Sequence, residues 1–159
     1  MKSRKLALFL VALLLLGAGT ALVQAQGDEE IIVYRQRLMK GHVASMGSIG
    51  DIMKFKLAVG TDHVAVHAKN ISEYAKLIPA AFEKDISAGK TDAKAEVWTN
   101  WDDFVTKANT LSTAAATLST AAAGGDMAKV MPALKGVGDA CRGCHNDYRK
   151  PEEERFPRD

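Results

Sequence analysis

The sequence predicts an all-α chain folded as an antiparallel up-and-down four-helix bundle, and three observations carry that expectation. Prolines number only four in 159 residues, at positions 79, 132, 151 and 157. No run of alternating β-branched residues is present, and Ala-rich segments with apolar residues every three or four positions fill most of the length. The composition, 47% hydrophobic, 6% aromatic and 25% charged, is that of an ordinary globular domain. It excludes collagen-like, disulfide-scaffold and acidic disordered classes.

The first 25 residues stand apart. Lys2, Arg4 and Lys5 form a basic head, residues 6–16 are an unbroken apolar run, and Val23-Gln24-Ala25 has the small-x-small pattern that a signal peptidase reads. Residues 1–25 are therefore read as a signal peptide cleaved after Ala25, which implies a periplasmic product. A membrane anchor is the rival reading, but the run to Val23 is short for a spanning helix and is interrupted by Gly17, Gly19 and Thr20. The leader holds three basic residues and no acid, so the formal charge of +2 becomes −1 without it. That balance leaves no footprint for nucleic acid and no reason for membrane association after cleavage. One domain is expected over 26–150, with 151–159 a solvated, frayed tail.

The first helix is expected from about Glu29 to Leu57, with a stripe of Ile32, Met39, Val43, Met46 and Met53. Gly60, Thr61 and Asp62 should end it and cap the next, glycine through a left-handed turn and aspartate by accepting free amide hydrogens. The second helix spans about His63 to Phe82, with Val64, Ala68, Ile71, Ala75, Ile78 and Phe82 inward and a kink or break at Pro79. A polar loop over 83–91 follows.

The third helix is the clearest. Val97, Trp101, Phe104, Ala108, Leu111, Ala115, Leu118 and Ala122 alternate at spacings of four and three, the seam that an antiparallel bundle buries. Gly124-Gly125 terminates it. Asp126 is placed to cap a fourth helix from Met127 to about Tyr148, which Pro132 should bend slightly or delay. Trp98 and Trp101 are expected to serve in packing.

Cys141-Arg142-Gly143-Cys144-His145 carries the chemistry. C-x-x-C-H is the attachment motif for c-type haem: each thiol adds to a haem vinyl group, and the adjacent histidine binds the iron. At about 100° per residue, Cys144 lies about 60° and His145 about 40° from Cys141, so all three share one helix face. A thioredoxin-like pair would open a helix after a strand, a structural zinc site would need four ligands, and a disulfide between residues three apart inside a helix is awkward. One covalent haem c per chain is the reading that remains.

Taken with "YRQRLMKGH" in the first helix and "EVWTNWDDF" opening the third, "GDACRGCHNDYRK" resembles the cytochrome c′ family, the class II c-type cytochromes. The resemblance covers essentially all of the mature chain. It implies that Cys141 and Cys144 hold the porphyrin, that His145 is the proximal ligand, and that Arg149 lies beside the proximal face. It also implies that Arg35 and Gln36 contact the haem propionates, and that Met39 faces the sixth position of the iron.

Two functions then stay open. A Met39 thioether on the iron would raise the reduction potential and suit a carrier of single electrons, with redox proteins as partners and no enzymatic turnover. If Met39 is only a flexible core filler, the iron is five-coordinate and takes small gaseous ligands such as NO or CO. His42, three residues on, is a lesser candidate for the same position. His63 and His67 have the spacing of a two-histidine metal site but no third ligand, and read as helix-edge residues. A homodimer is compatible with helices rich in small residues.

Overall fold

The structure, a computed structural model, describes residues 2–55 and 59–157, with side chains described for 27–54 and 59–157. Six helices follow one another: α1 (Lys2–Phe55), α2 (Thr61–Lys76), α3 (Ile78–Phe82), α4 (Glu96–Thr99), α5 (Trp101–Ala123) and α6 (Met127–Tyr148). They form a four-helix bundle in which α2 with α3, and α4 with α5, each make one interrupted rod. No helix among the described residues is long and apolar enough to cross a membrane. The side chains of residues 1–26, including those around the expected cleavage point after Ala25, lie outside the described ones.

Helix α1 runs on from Lys2 where a start near Glu29 was expected. Leu57, its expected end, falls outside the described residues. The junction after it also differs from expectation. Gly60 is extended, with φ −70° and ψ 166°, and not left-handed; α2 begins at Thr61 with no side-chain cap. Asp62 thus sits inside the first turn, where its charge favours the positive end of the helix dipole instead of capping the amides.

The second rod breaks at Leu77, and α3 restarts with Pro79 in its first turn. Proline has no amide hydrogen to give, so the chain ends one helix and begins another. The third rod breaks at Asn100, where φ is −121° and ψ 44°. That break has no proline to announce it. Asn100 is a poor helix former placed where the chain can turn, and its carbonyl receives the Phe104 amide at 3.0 Å to start α5.

The far end of α5 behaves as its sequence dictates. Gly125 takes φ +70°, a left-handed conformation glycine adopts without cost. Asp126 then caps α6, its carboxylate accepting the Ala128 amide at 3.0 Å. Pro132 is accommodated inside α6 and does not delay its start.

The core shows why α2 and α5 form the tightest pair. Ala68, Ala75, Ala108, Ala115 and Ala122 are all buried, so the two backbones approach closely. Hydroxyls then reach across to the opposite backbone: Ser72 Oγ donates to the Ser112 carbonyl at 2.9 Å, and Ser119 Oγ to the Ala65 carbonyl at 2.9 Å. Each such bond contributes about 1 kcal/mol. The seam expected on α5 is buried at Phe104, Leu111 and Leu118 as well as at its alanines.

On α1 the expected stripe holds except at one position: Ile32 is buried and Met39, Met46 and Met53 pack half-buried against the core. Val43 is 71% exposed, whereas Arg35, His42 and Ser45 are buried alongside Ile32, Leu38 and Ile49. An apolar-only pattern misplaced Val43 and left out the three polar residues that find room inside. Gly41 helps to set the α1–α2 distance: a Cβ there would meet the Tyr74 ring at 2.9 Å.

Packing runs from α1 to α2, from α2 to α5 and from α5 to α6, but α6 and α1 scarcely touch. The fourth side of the bundle is thus an open seam. Its two flanks are half-buried and apolar, with Met39, Met46 and Met53 at seven-residue intervals on α1 and Leu134, Cys141 and Cys144 on α6.

The stretch after α6 is mostly exposed, as a solvated tail would be, yet it carries local order. Glu152–Glu154 form a 3-10 turn, Arg155 Nε donates to the Lys150 carbonyl at 2.9 Å, and the Phe156 amide donates to Asp92 at 3.2 Å. Prolines at 151 and 157 made the segment look unstructured, but backbone and side-chain bonds to residues 91–92 hold it.

Candidate functional site

The C-x-x-C-H segment occupies the last two turns of α6, and the chain around it anchors that helix end. Ala93 and Arg149 form an isolated antiparallel bridge. The Lys94 amide donates to the Tyr148 carbonyl at 3.0 Å and the Lys150 amide to the Asp92 carbonyl at 2.8 Å. Tyr148 is buried, its ring edge-on to Phe104 at 5.3 Å and its hydroxyl donating to Asp103 at 2.5 Å. One turn beyond Cys144, this residue ties the motif helix to α5.

Burial, and then the hydrogen bond to Asp103, push the Tyr148 hydroxyl well above the ordinary tyrosine value. The folded chain keeps this proton when the unfolded chain loses it near pH 10, so stability should fall as pH rises past 10. Tyr148→Phe should lose about 1 kcal/mol at pH 7 for the missing bond and show a flatter decline between pH 9 and 11. Urea titrations of both proteins across that range check it; parallel profiles would contradict it.

Cys141 and Cys144 are free thiols, half-buried on the α6 flank of the open seam. Burial raises the Cys141 thiol and pushes Cys144 up to about 11. Both are protonated at neutral pH. A dithiol built for disulfide exchange lowers its thiol pKa, so this pair is ill suited to that chemistry.

His145 is exposed, yet desolvation by the surrounding protein lowers its pKa, and the charges of Arg149, Arg155 and His42 lower it further. The neutral imidazole, the form that offers a lone pair to a metal, is therefore favoured. Among the described residues its ring nitrogens make no side-chain hydrogen bond. Two protonated thiols and a neutral imidazole share one helix face beside an apolar opening. This donor set and its surroundings fit a covalently attached haem.

The other residues singled out in the sequence are placed as follows. Met39 is half-buried on the α1 flank of the seam. Arg35 is buried, its guanidinium donating to the carbonyls of Ala81 at 2.7 Å, Lys84 at 2.6 Å and Ile86 at 3.5 Å. It also stacks over the Phe82 ring at 4.6 Å. Its guanidinium therefore closes the C-terminal end of α3, a structural duty that sequence reasoning missed. Gln36 is exposed and donates to the Lys90 carbonyl at 3.1 Å. Arg149 pairs with Asp92 at 3.4 Å, below the motif.

His42 is nearly enclosed between α1 and α2. Its Nδ1 lies 2.9 Å from the Leu38 carbonyl, and its ring meets Tyr74 edge-on at 5.7 Å. Burial lowers its pKa, an effect the carbonyls of Leu38 and Ile71 partly oppose. His63 is exposed and His67 half-exposed on α2, and no cluster of three metal-binding side chains occurs among the described residues.

Comparison with known proteins agrees with this arrangement. The family model described as Cytochrome C' matches residues 30–149. A cytochrome c' from Pararhodospirillum photometricum is 35% identical over 123 residues, covering 77% of this chain and 98% of that one. Among solved structures, cytochrome c prime from Shewanella frigidimarina superposes with a TM-score of 0.72 at 27% identity, covering 78% of this chain and 97% of that one. A nitric oxide complex of a mutant cytochrome c prime from Alcaligenes xylosoxidans gives a TM-score of 0.70 at 26% identity, covering 79% and 97%. From the motif, the open-sided bundle and these matches together, the chain belongs to the cytochrome c′ family, haem-binding electron carriers, and its cofactor is haem c.

Proposed function

We propose that the chain is a periplasmic monohaem cytochrome, exported by cleavage after Ala25, which passes single electrons between protein partners without turning over a substrate. Cys141 and Cys144 anchor the porphyrin, His145 is the proximal ligand, and Met39 is the ligand on the opposite side. Haem bound in this way supplies a one-electron Fe(III)/Fe(II) couple.

The observation that carries this reading is the pair of flanks on the open seam. A half-buried thioether on α1 and half-buried thiols on α6 pack on one core at the side where the helices do not meet. The neutral His145 ring keeps its lone pair for the metal. Arg149, held by Asp92, places a fixed positive charge below the motif.

Met39→Ala should lower the reduction potential and remove the thioether signature from the near-infrared spectrum, because thioether sulfur favours the reduced metal. A spectrum and potential indistinguishable from the wild type would refute the assignment.

The likeness to a nitric oxide complex favours a second reading, in which Met39 stays off the iron and the protein takes up NO or CO. The visible spectrum separates the two. Sharp α and β bands in the reduced protein, unchanged by CO, fit the electron carrier; a broad high-spin spectrum that shifts on adding CO fits the gas binder.

A further inference from the structure

Apart from Met1, every methionine of the sequence falls on a helix that flanks the open seam: Met39, Met46 and Met53 on α1, Met127 and Met131 on α6. The three of α1 are half-buried against the core, but Met127 is 43% exposed and Met131 54% exposed. One helical turn apart, these two present a pair of thioether sulfurs side by side.

Both lie on the seam side of α6. Lys129, Pro132 and Ala133 line the groove between α6 and α5, while the fully buried Val130 marks the core. At about 100° per residue, Met127 and Met131 lie about 60° and 100° around the helix from Val130, on the side away from Lys129 and Ala133. Met127 also precedes His145 by about five whole turns and so shares its face. On α1, Gly41 faces the Tyr74 ring of α2. Met53 lies about 120° around from Gly41, with the buried Leu38 and Ile49 between them, and so on the flank away from α2.

The register of the bundle sets these residues level. Neighbouring helices run antiparallel, and three contacts tie them: Gly41 against Tyr74, Ser119 Oγ donating to the Ala65 carbonyl, and Lys107 paired with Asp147 at 3.0 Å. Equal counts along each helix from these contacts bring Met39 level with Lys76, Ala108 and, within about a residue, His145. The same count brings Met53 level with Asp62, Ala122 and, within about a residue, Met131. Thr61 Oγ1 lies 3.9 Å from where a Cβ on Gly125 would stand, which fits that register at this end of the bundle. Three sulfurs thus meet from both flanks of the seam, about 21 Å along the bundle from the Met39 level.

The donors there are neutral sulfur. No cluster of three histidine, cysteine or acidic side chains occurs among the described residues, and the neighbouring Asp126 is held by Lys129 at 3.1 Å and by the Ala128 amide at 3.0 Å. Thioether sulfur is a soft ligand that selects Cu(I), while calcium and magnesium take oxygen donors. Methionine has three rotatable bonds, so its sulfur can swing in to share an ion with sulfurs across a gap.

We propose that Met53, Met127 and Met131 form a Cu(I) site at the end of the seam remote from the C-x-x-C-H motif. Binding forms three sulfur–copper bonds and breaks none in the protein. The copper keeps its oxidation state and no proton leaves, because a thioether carries none. Affinity is therefore flat between about pH 5 and 8, where a site of histidine or cysteine would weaken as pH falls. The site stands whether or not Met39 binds the iron.

The test uses ferrous holoprotein carrying methionine labelled with carbon-13 at the methyl group, titrated anaerobically with Cu(I). The methyl signals of Met53, Met127 and Met131 should move together and saturate at one copper per chain, while those of Met39 and Met46 stay in place. Met131→Leu should weaken binding by more than about tenfold, the least that losing even a supporting residue costs many metal sites. Met127→Leu/Met131→Leu should abolish it. Leucine nearly conserves the volume and both positions are exposed, so circular dichroism and the haem spectrum should not change. Absence of binding overturns the proposal, as does binding that survives the double substitution, moves only the Met39 methyl, or fades as pH falls to 5. A change at the iron in Met39→Ala bears on the sixth ligand alone and leaves these outcomes as they are.

Discussion

Replacing both Cys141 and Cys144 by alanine is expected to yield a folded chain whose colour is extracted completely by acidified acetone, while the wild-type colour stays with the protein. The two thiols are half-buried and free, and nothing else on the motif face of α6 can form a covalent bond to a vinyl group. Buried cysteine packs as a small hydrophobe, so the helices should persist. Far-UV circular dichroism checks that point in the same samples, and intact mass should lack one haem. Cys144→Ala alone should keep the mass of the adduct through Cys141 while shifting the pyridine haemochrome band. Colour that resists extraction from the double variant would show that the group is not held by these thiols.

The largest effect on stability is expected at Phe104. Its ring is 3% exposed and lies 5.3 Å from both Phe82 and Tyr148 and 5.7 Å from Trp101. It thus joins α3, α5 and the motif end of α6. Phe104→Ala should cost about 4 kcal/mol, the transfer free energy of the ring plus the cavity left behind. That is a large share of the 5–15 kcal/mol that holds a typical domain together. A lower urea midpoint at unchanged slope would register it, with a fall in Tm of about 15 °C. Phe104→Leu, which refills part of the space, should cost about half as much. A loss below about 1 kcal/mol would mean that the aromatic cluster does not hold the helix ends together.

How much of this could be read in advance depended on the range of the interactions. The seam of α5 was legible because a heptad is local, and Phe104, Ala108, Leu111, Ala115, Leu118 and Ala122 all proved buried. The C-terminal stop at Gly125 and the cap at Asp126 were legible for the same reason. The buried polar residues of α1 were not. Arg35 is inside because carbonyls at 81, 84 and 86 come to meet it, about fifty residues away in sequence. No local pattern of apolar residues carries that information. The break at Asn100 and the folding-back of the tail onto Asp92 likewise depend on partners from other parts of the chain.

By itself, then, the sequence determined an all-helical chain and a covalent anchor for haem. The reason is proximity: two thiols and an imidazole within five consecutive residues of one helix must share a face whatever surrounds them. Only the tertiary structure decided which side of the bundle stays open, that Met39 flanks that opening, that Arg35 closes α3, and that His42 is buried with one nitrogen unpaired. These follow from how closely distant helices pack. The alanines and serines that draw α2 against α5, and the sparse packing between α6 and α1, set distances that periodicity along one helix does not encode.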